Sequence, residues 1–117
     1  VASDDFTDRL AAVRRRFASS LPDKIAAAVA ALPALTGDRA DAPAAVEESY
    51  RRIHGITGVG ASIGFAATGA AAREVEAVLL GPLRARRGLD GEEIARLKRM
   101  LAALSAAAQT ELQLNGG

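Results

Sequence analysis

Apolar side chains recur at spacings of three and four along most of this chain, the pattern of amphipathic helices. Phe6, Leu10, Val13, Phe17, Leu21, Ile25, Val29 and Leu32 form one stripe that crosses Pro22 with little loss of phase. It predicts a long first helix over about residues 4–33, started by Ser3 or Asp4 and bent near Ser20-Leu21-Pro22-Asp23. Two shorter helices, the second capped by Ser20, fit the same pattern. Thr36 to Pro43 reads as a loop on turn chemistry. Pro43 suits the first turn of a second helix, and Glu47 and Glu48 favour its N-terminal half. This helix should reach about Ser62, with Gly64 as a stop or a tight join.

Phe65, Thr68, Ala72, Val75 and Leu79 make one face of a third helix over residues 65–80, ended by Gly81-Pro82. Leu83 to Leu89 is a basic connector with Arg84, Arg86 and Arg87, either a solvated link or a docking patch. Asp90-Gly91-Glu92-Glu93 opens a fourth helix as a capping box, with aspartate where Ser or Thr is usual. Ile94, Leu97, Leu101, Leu104, Ala108 and Leu112 give its stripe, and Asn115-Gly116-Gly117 stops it. Four stripes with short loops predict an all-α, antiparallel up-down four-helix bundle with a long, proline-kinked first helix.

Composition narrows the class. The 117 residues suit a single domain, 1–117, with one core. Half the residues are hydrophobic (50%) but only 3% are aromatic, and alanine dominates, which suits closely packed helices and not a β-sandwich. Lys and Arg number 15 against 14 Asp and Glu, and a net charge of +1 makes no case for nucleic acid as a partner. Without cysteine there is no disulfide framework, thiolate metal site or Cys nucleophile. No apolar run crosses a bilayer: Ile25 to Leu35 is short and contains Pro33, and Gly55 to Ala72 is too rich in glycine and alanine. The first residues are acidic and do not resemble a signal peptide. A cytoplasmic protein is expected, and the missing initiator Met fits a trimmed or excised domain.

Candidate chemistry gathers between Tyr50 and Phe65. This stretch holds the only histidine, His54, with Gly55, Gly58, Gly60 and Gly64 and the small Ala61 and Ser62. A helix built for stability alone would avoid such glycines, each costing up to about 1 kcal/mol relative to alanine. On a helical wheel Val46, Ser49, Ile53, Ile56, Gly60 and Ile63 cluster about 130° from His54 and should face the core. Glu47, Tyr50, Arg51, Thr57, Gly58 and Ala61 fall within about 60° of His54, so the imidazole should project away from the core. A neutral imidazole is nucleophilic through nitrogen. Flanking small residues let another protein approach it, and bulk at Gly58 would stand in the way. Glu47 reads as a helix-start charge or as a partner for Nδ1. A lone histidine without cysteine cannot build the usual zinc set, and neither Ser49 nor Ser62 lies beside His54 with an aspartate to form a hydrolytic triad. The glycines lack the Gly-Lys-Ser/Thr of a phosphate loop, so no ATP site and no kinase activity are expected.

This stretch resembles the signature of histidine phosphotransfer (HPt) domains: His54, Gly58 at +4, small Gly60-Ala61-Ser62, apolar Ile63 and Gly64 at +10. Ala72-Arg73-Glu74-Val75-Glu76 is similar to the family's helix ending in an apolar-Glu pair, and the likeness covers nearly the whole chain. One position departs: the family's lysine at +3 is Thr57, which offers a hydroxyl but no charge. Arg51 could supply that charge, as could Arg73 or Arg84 if folding brings them close. The resemblance implies a phosphorelay intermediate of two-component signalling. His54 would take a phosphoryl group from a receiver-domain aspartate, of a hybrid kinase or response regulator, and pass it to another. Tyr50, Arg51, Thr57, Gly58 and Ala61 would support the phosphoryl group or the partner. No cofactor is implied for this chain, Mg²⁺ being expected on the receiver. A monomer is expected, although the Phe6 to Leu32 stripe is long enough for pairing between copies. The alternative is an interaction module that binds a receiver or another partner without phosphorylation.

Overall fold

The computed structural model describes residues 2–114. Helix α1 spans Ala2–Ala30, α2 Ala42–Ser62, α3 Ala66–Ala85 and α4 Gly91–Leu114, with a 3₁₀ turn at Leu32–Leu35 after α1. Helices α2 and α3 pack on each other, α4 closes against α3, and α1 lies across α4 and α2. This is the expected four-helix bundle. The core joins Phe17, Leu21 and Ile25 of α1 to Val46, Ile53 and Ile56 of α2, Val75 and Leu79 of α3, and Leu97, Leu101 and Leu104 of α4. The Phe17 and Phe65 rings meet at 5.0 Å, tilted by 57°.

Helix α1 runs unbroken through Pro22, so the two-helix alternative is not realised. Its start at Ala2 places Ser3 and Asp4 inside the first turn and not at the cap. Periodicity overstates the burial of its stripe. Phe6 is 63% exposed and Val29 47% exposed. Every residue from Asp4 to Arg9 is exposed, whereas Arg14 Nε donates to the Ile63 carbonyl, 3.0 Å away, just past the end of α2. The first turns of α1 therefore lie beyond its contact with α2.

Helix α3 is longer than the Gly81-Pro82 pair suggested. It continues through Pro82 to Ala85 and ends where Arg86 adopts a left-handed conformation, φ 54°. The proline removes one backbone donor, but its ring is buried and Leu83 packs on the core, which offsets that loss. The basic connector thus shortens, and Arg87 is tied down: its guanidinium grips both oxygens of Glu93 at 2.8 and 3.0 Å.

The ends of the helices are satisfied by three devices. At α4 the capping box forms reciprocally: the Glu93 N–H donates to Asp90 Oδ1 (2.8 Å) and the Asp90 N–H to Glu93 Oε1 (3.0 Å). The cap position of α3, Phe65, offers no side-chain acceptor. Glu111 of α4 supplies one from across the bundle, accepting from the N–H groups of Ala67 (3.1 Å) and Thr68 (2.6 Å). At the far end, the loops before α2 and α4 are joined by backbone bonds from Gly37 to the Leu89 carbonyl (2.9 Å) and from Leu89 to the Leu35 carbonyl (2.8 Å). The expected stop at Asn115-Gly116-Gly117 lies outside the described residues.

Candidate functional site

The α2–α3 seam positions the site. Gly64, at φ 94°, makes the tight join between the two helices and returns the chain antiparallel. Their backbones then approach closely through paired glycines. A Cβ on Gly60 would lie 3.3 Å from the Phe65 carbonyl oxygen and 3.4 Å from Phe17 Cζ. One on Gly69 would lie 3.2 Å from the Ala61 nitrogen and 3.5 Å from the Thr57 oxygen. This contact sets the register. Seven residues after Gly69, about two turns, Glu76 comes level with His54.

His54 projects from α2 as its wheel predicts, its side chain 65% exposed, while Val46, Ser49, Ile53, Ile56, Gly60 and Ile63 are all buried on the opposite side. Nδ1 of the ring lies 2.6 Å from Glu76 Oε1, and the Glu76 side chain is only 12% exposed. A carboxylate only accepts, so Nδ1 carries the shared proton, and in a neutral ring the lone pair is then on Nε2. Tyr50 stacks on the imidazole at 5.8 Å with 12° between the planes. The ring is thus held on one edge and one face, with most of the side chain left to solvent.

Around it the surface is bare. A Cβ at Gly55 or Gly58 would meet nothing within 4 Å, and Ala61 is exposed. Close packing explains Gly60 and Gly69, but it does not explain Gly58.

One expectation needs correction, and one alternative drops out. Thr57 is 6% exposed, and its hydroxyl donates to the Ile53 carbonyl at 3.3 Å within its own helix. The wheel put it near His54, but on the side that α3 covers, so its hydroxyl is not turned to the open face. Glu47 is not the partner of Nδ1: it accepts from Arg51 at 3.2 Å, one turn along the exposed face. Glu76 is the carboxylate that was missed. Its signal was its position beside Val75 at the edge of the apolar face of α3, where a half-buried acid needs a partner.

Of the other cations, Arg52 reaches Glu48 at 3.5 Å. Arg73 and Arg84 are exposed on α3. Among the described residues no helix is long and apolar enough to cross a membrane.

A family model described as "Hpt domain" matches residues 12–107, which takes in α2, α3 and their seam whole and most of α1 and α4. No curated protein matches the chain, and no solved structure matches it either.

Proposed function

The chain belongs to the Hpt domain family, which carries phosphoryl groups in two-component signalling, and on that premise we propose that His54 is its phosphoacceptor. The observation that carries this reading is the state of the ring: Nδ1 engaged by Glu76 at 2.6 Å, and the side chain 65% exposed on a face without bulk. Nε2 attacks the phosphorus of a receiver's aspartyl phosphate in line. The Nε2–P bond forms as the P–O bond to the aspartate breaks, and the carboxylate leaves with that electron pair. The Nδ1 proton stays on the ring, and Glu76 balances the positive charge that develops there. Onward transfer reverses these steps on a second receiver's aspartate. Positioning is the chain's main contribution: Tyr50 and Glu76 hold the ring in one orientation, so little rotational freedom is lost at the moment of attack. Gly58 and Ala61 provide the flat surface on which the receiver settles, and Arg51 stands at its rim.

The test is to mix the chain with a phosphorylated receiver. Wild type should gain acid-labile phosphate and His54→Ala should gain none. Labelling that survives the substitution removes His54 from the role. Receiver binding by wild type without any labelling would leave an interaction module in its place.

A further inference from the structure

We propose that Arg73 is the cation that holds the phosphoryl group on His54 Nε2, in place of the lysine that the family would carry at position 57. The inference rests on the reading of His54 given above.

A phosphoryl group on an exposed ring presents non-bridging oxygens that call for a charged donor. On α2 nothing C-terminal to His54 supplies one. Thr57 is buried with its hydroxyl bonded to Ile53, and Gly58, Val59, Gly60, Ala61 and Ser62 carry no charge. Three arginines are candidates. Arg51 is already engaged by Glu47 at 3.2 Å. Arg84 lies eight residues past Glu76, about 12 Å further along α3 and away from the seam's glycines.

Arg73 is placed differently. Gly69 packs against Thr57 and Ala61, and Glu76 touches His54, so the stretch of α3 between them runs beside His54 to Gly58. Arg73 sits in that stretch, one turn before Glu76 and about 60° round the helix from it. The direction of that rotation is outward: Ala72, Val75 and Leu79 on the other side of Glu76 are buried, whereas Arg73, Ala70 and Ala77 are exposed. The guanidinium therefore belongs to the solvent rim of the α2–α3 seam, the rim from which His54 projects. Among the described residues it has no hydrogen-bond or ion-pair partner. A long, unpaired, planar donor at this place can close over the phosphoryl oxygens and withdraw when the group leaves. Arg73 does not react; it makes hydrogen bonds to oxygens that persist through the transfer.

The measurement is the equilibrium distribution of phosphoryl between His54 and a receiver aspartate, taken over several mixing ratios of the full chain and the receiver. This ratio belongs to the separated proteins, so an effect on docking alone leaves it unchanged. Arg73→Ala should lower the share on His54 by about three- to tenfold, the scale of one exposed charge-assisted contact. Arg73→Lys should restore most of it, and Lys24→Ala, a lysine of α1 that lines a surface pocket with Glu48, Arg51, Arg52 and Gly55 on the flank of α2 away from Thr57 and the seam, should match wild type. An unchanged ratio in Arg73→Ala, or the same loss in Lys24→Ala, overturns the assignment while the phosphoacceptor stands. A wild type that takes no phosphoryl on His54 overturns both.

Discussion

Nδ1 of His54 and Oε1 of Glu76 lie 2.6 Å apart across the α2–α3 seam, joining the one nucleophilic ring to a carboxylate 22 residues away in sequence. Glu76 fixes both the tautomer and the tilt of the imidazole. Replacing it with alanine should slow phosphoryl transfer by about tenfold or more, the scale of a lost charge-assisted hydrogen bond. Glu76→Gln, which keeps an acceptor without the charge, should fall between. Rapid-quench kinetics check this, with circular dichroism to confirm that both variants remain helical. Equal rates in all three proteins would make the contact incidental.

Gly58 should behave as a docking position and not as a packing one. A Cβ there meets nothing within 4 Å, so Gly58→Ala should raise stability by up to about 1 kcal/mol through helix propensity alone. Gly58→Leu should also fold, yet bind a receiver poorly and accept phosphate slowly. Thermal melts and a binding titration separate the two effects. A melt lowered by the alanine would place hidden packing at this site.

Gly69 should show the reverse. Its added methyl would press on the Ala61 backbone nitrogen at 3.2 Å, and backbone cannot swing aside as a side chain can. Gly69→Ala should cost about 1–3 kcal/mol in urea unfolding, as overpacking does. It should also slow transfer, because the same contact sets the register of Glu76 against His54. Stability kept with transfer intact would count against a tight seam.

Much of this site was legible because it lies within one helix. The angular distance of His54 from Ile53, Ile56 and Gly60 follows from the helical repeat, and all three are buried while the histidine is exposed. Contacts between helices were not legible on that basis. Glu76 was missed, Thr57 was placed on the open face, and the cap that Glu111 provides to α3 was invisible, since each depends on how far one helix slides along another. Pro82 shows a different limit. As a local breaker it ends a helix, but a buried ring and one lost bond near a C-terminus are tolerated. Phe6 fits its stripe and is still exposed, because periodicity marks a face but not where the neighbouring helices stop.

Acid should loosen the start of α4. The bond to Arg87 outweighs partial burial and lowers the Glu93 carboxyl from its ordinary 4.5 to about 2, with help from the Asp90 N–H. A carboxylate with a depressed folded-state pKa contributes stability above the unfolded value and loses it as the pH falls toward the folded one. Stability should therefore decline between pH 4.5 and about 2, and Glu93→Gln should be less stable near neutrality with a flatter profile across that window. Denaturant midpoints at a series of pH values test this. An unchanged slope in Glu93→Gln would locate the acid sensitivity in other carboxylates.

The stack of Tyr50 on His54 has a spectroscopic consequence. Tyr50 is the sole tyrosine and there is no tryptophan, so nearly all near-ultraviolet emission comes from a phenol lying 5.8 Å from the His54 ring. Placing a dianion on that imidazole alters the electric field across its neighbour. The unlabelled chain should thus report its own loading as a change in tyrosine fluorescence, and Tyr50→Phe should be dark to the same event.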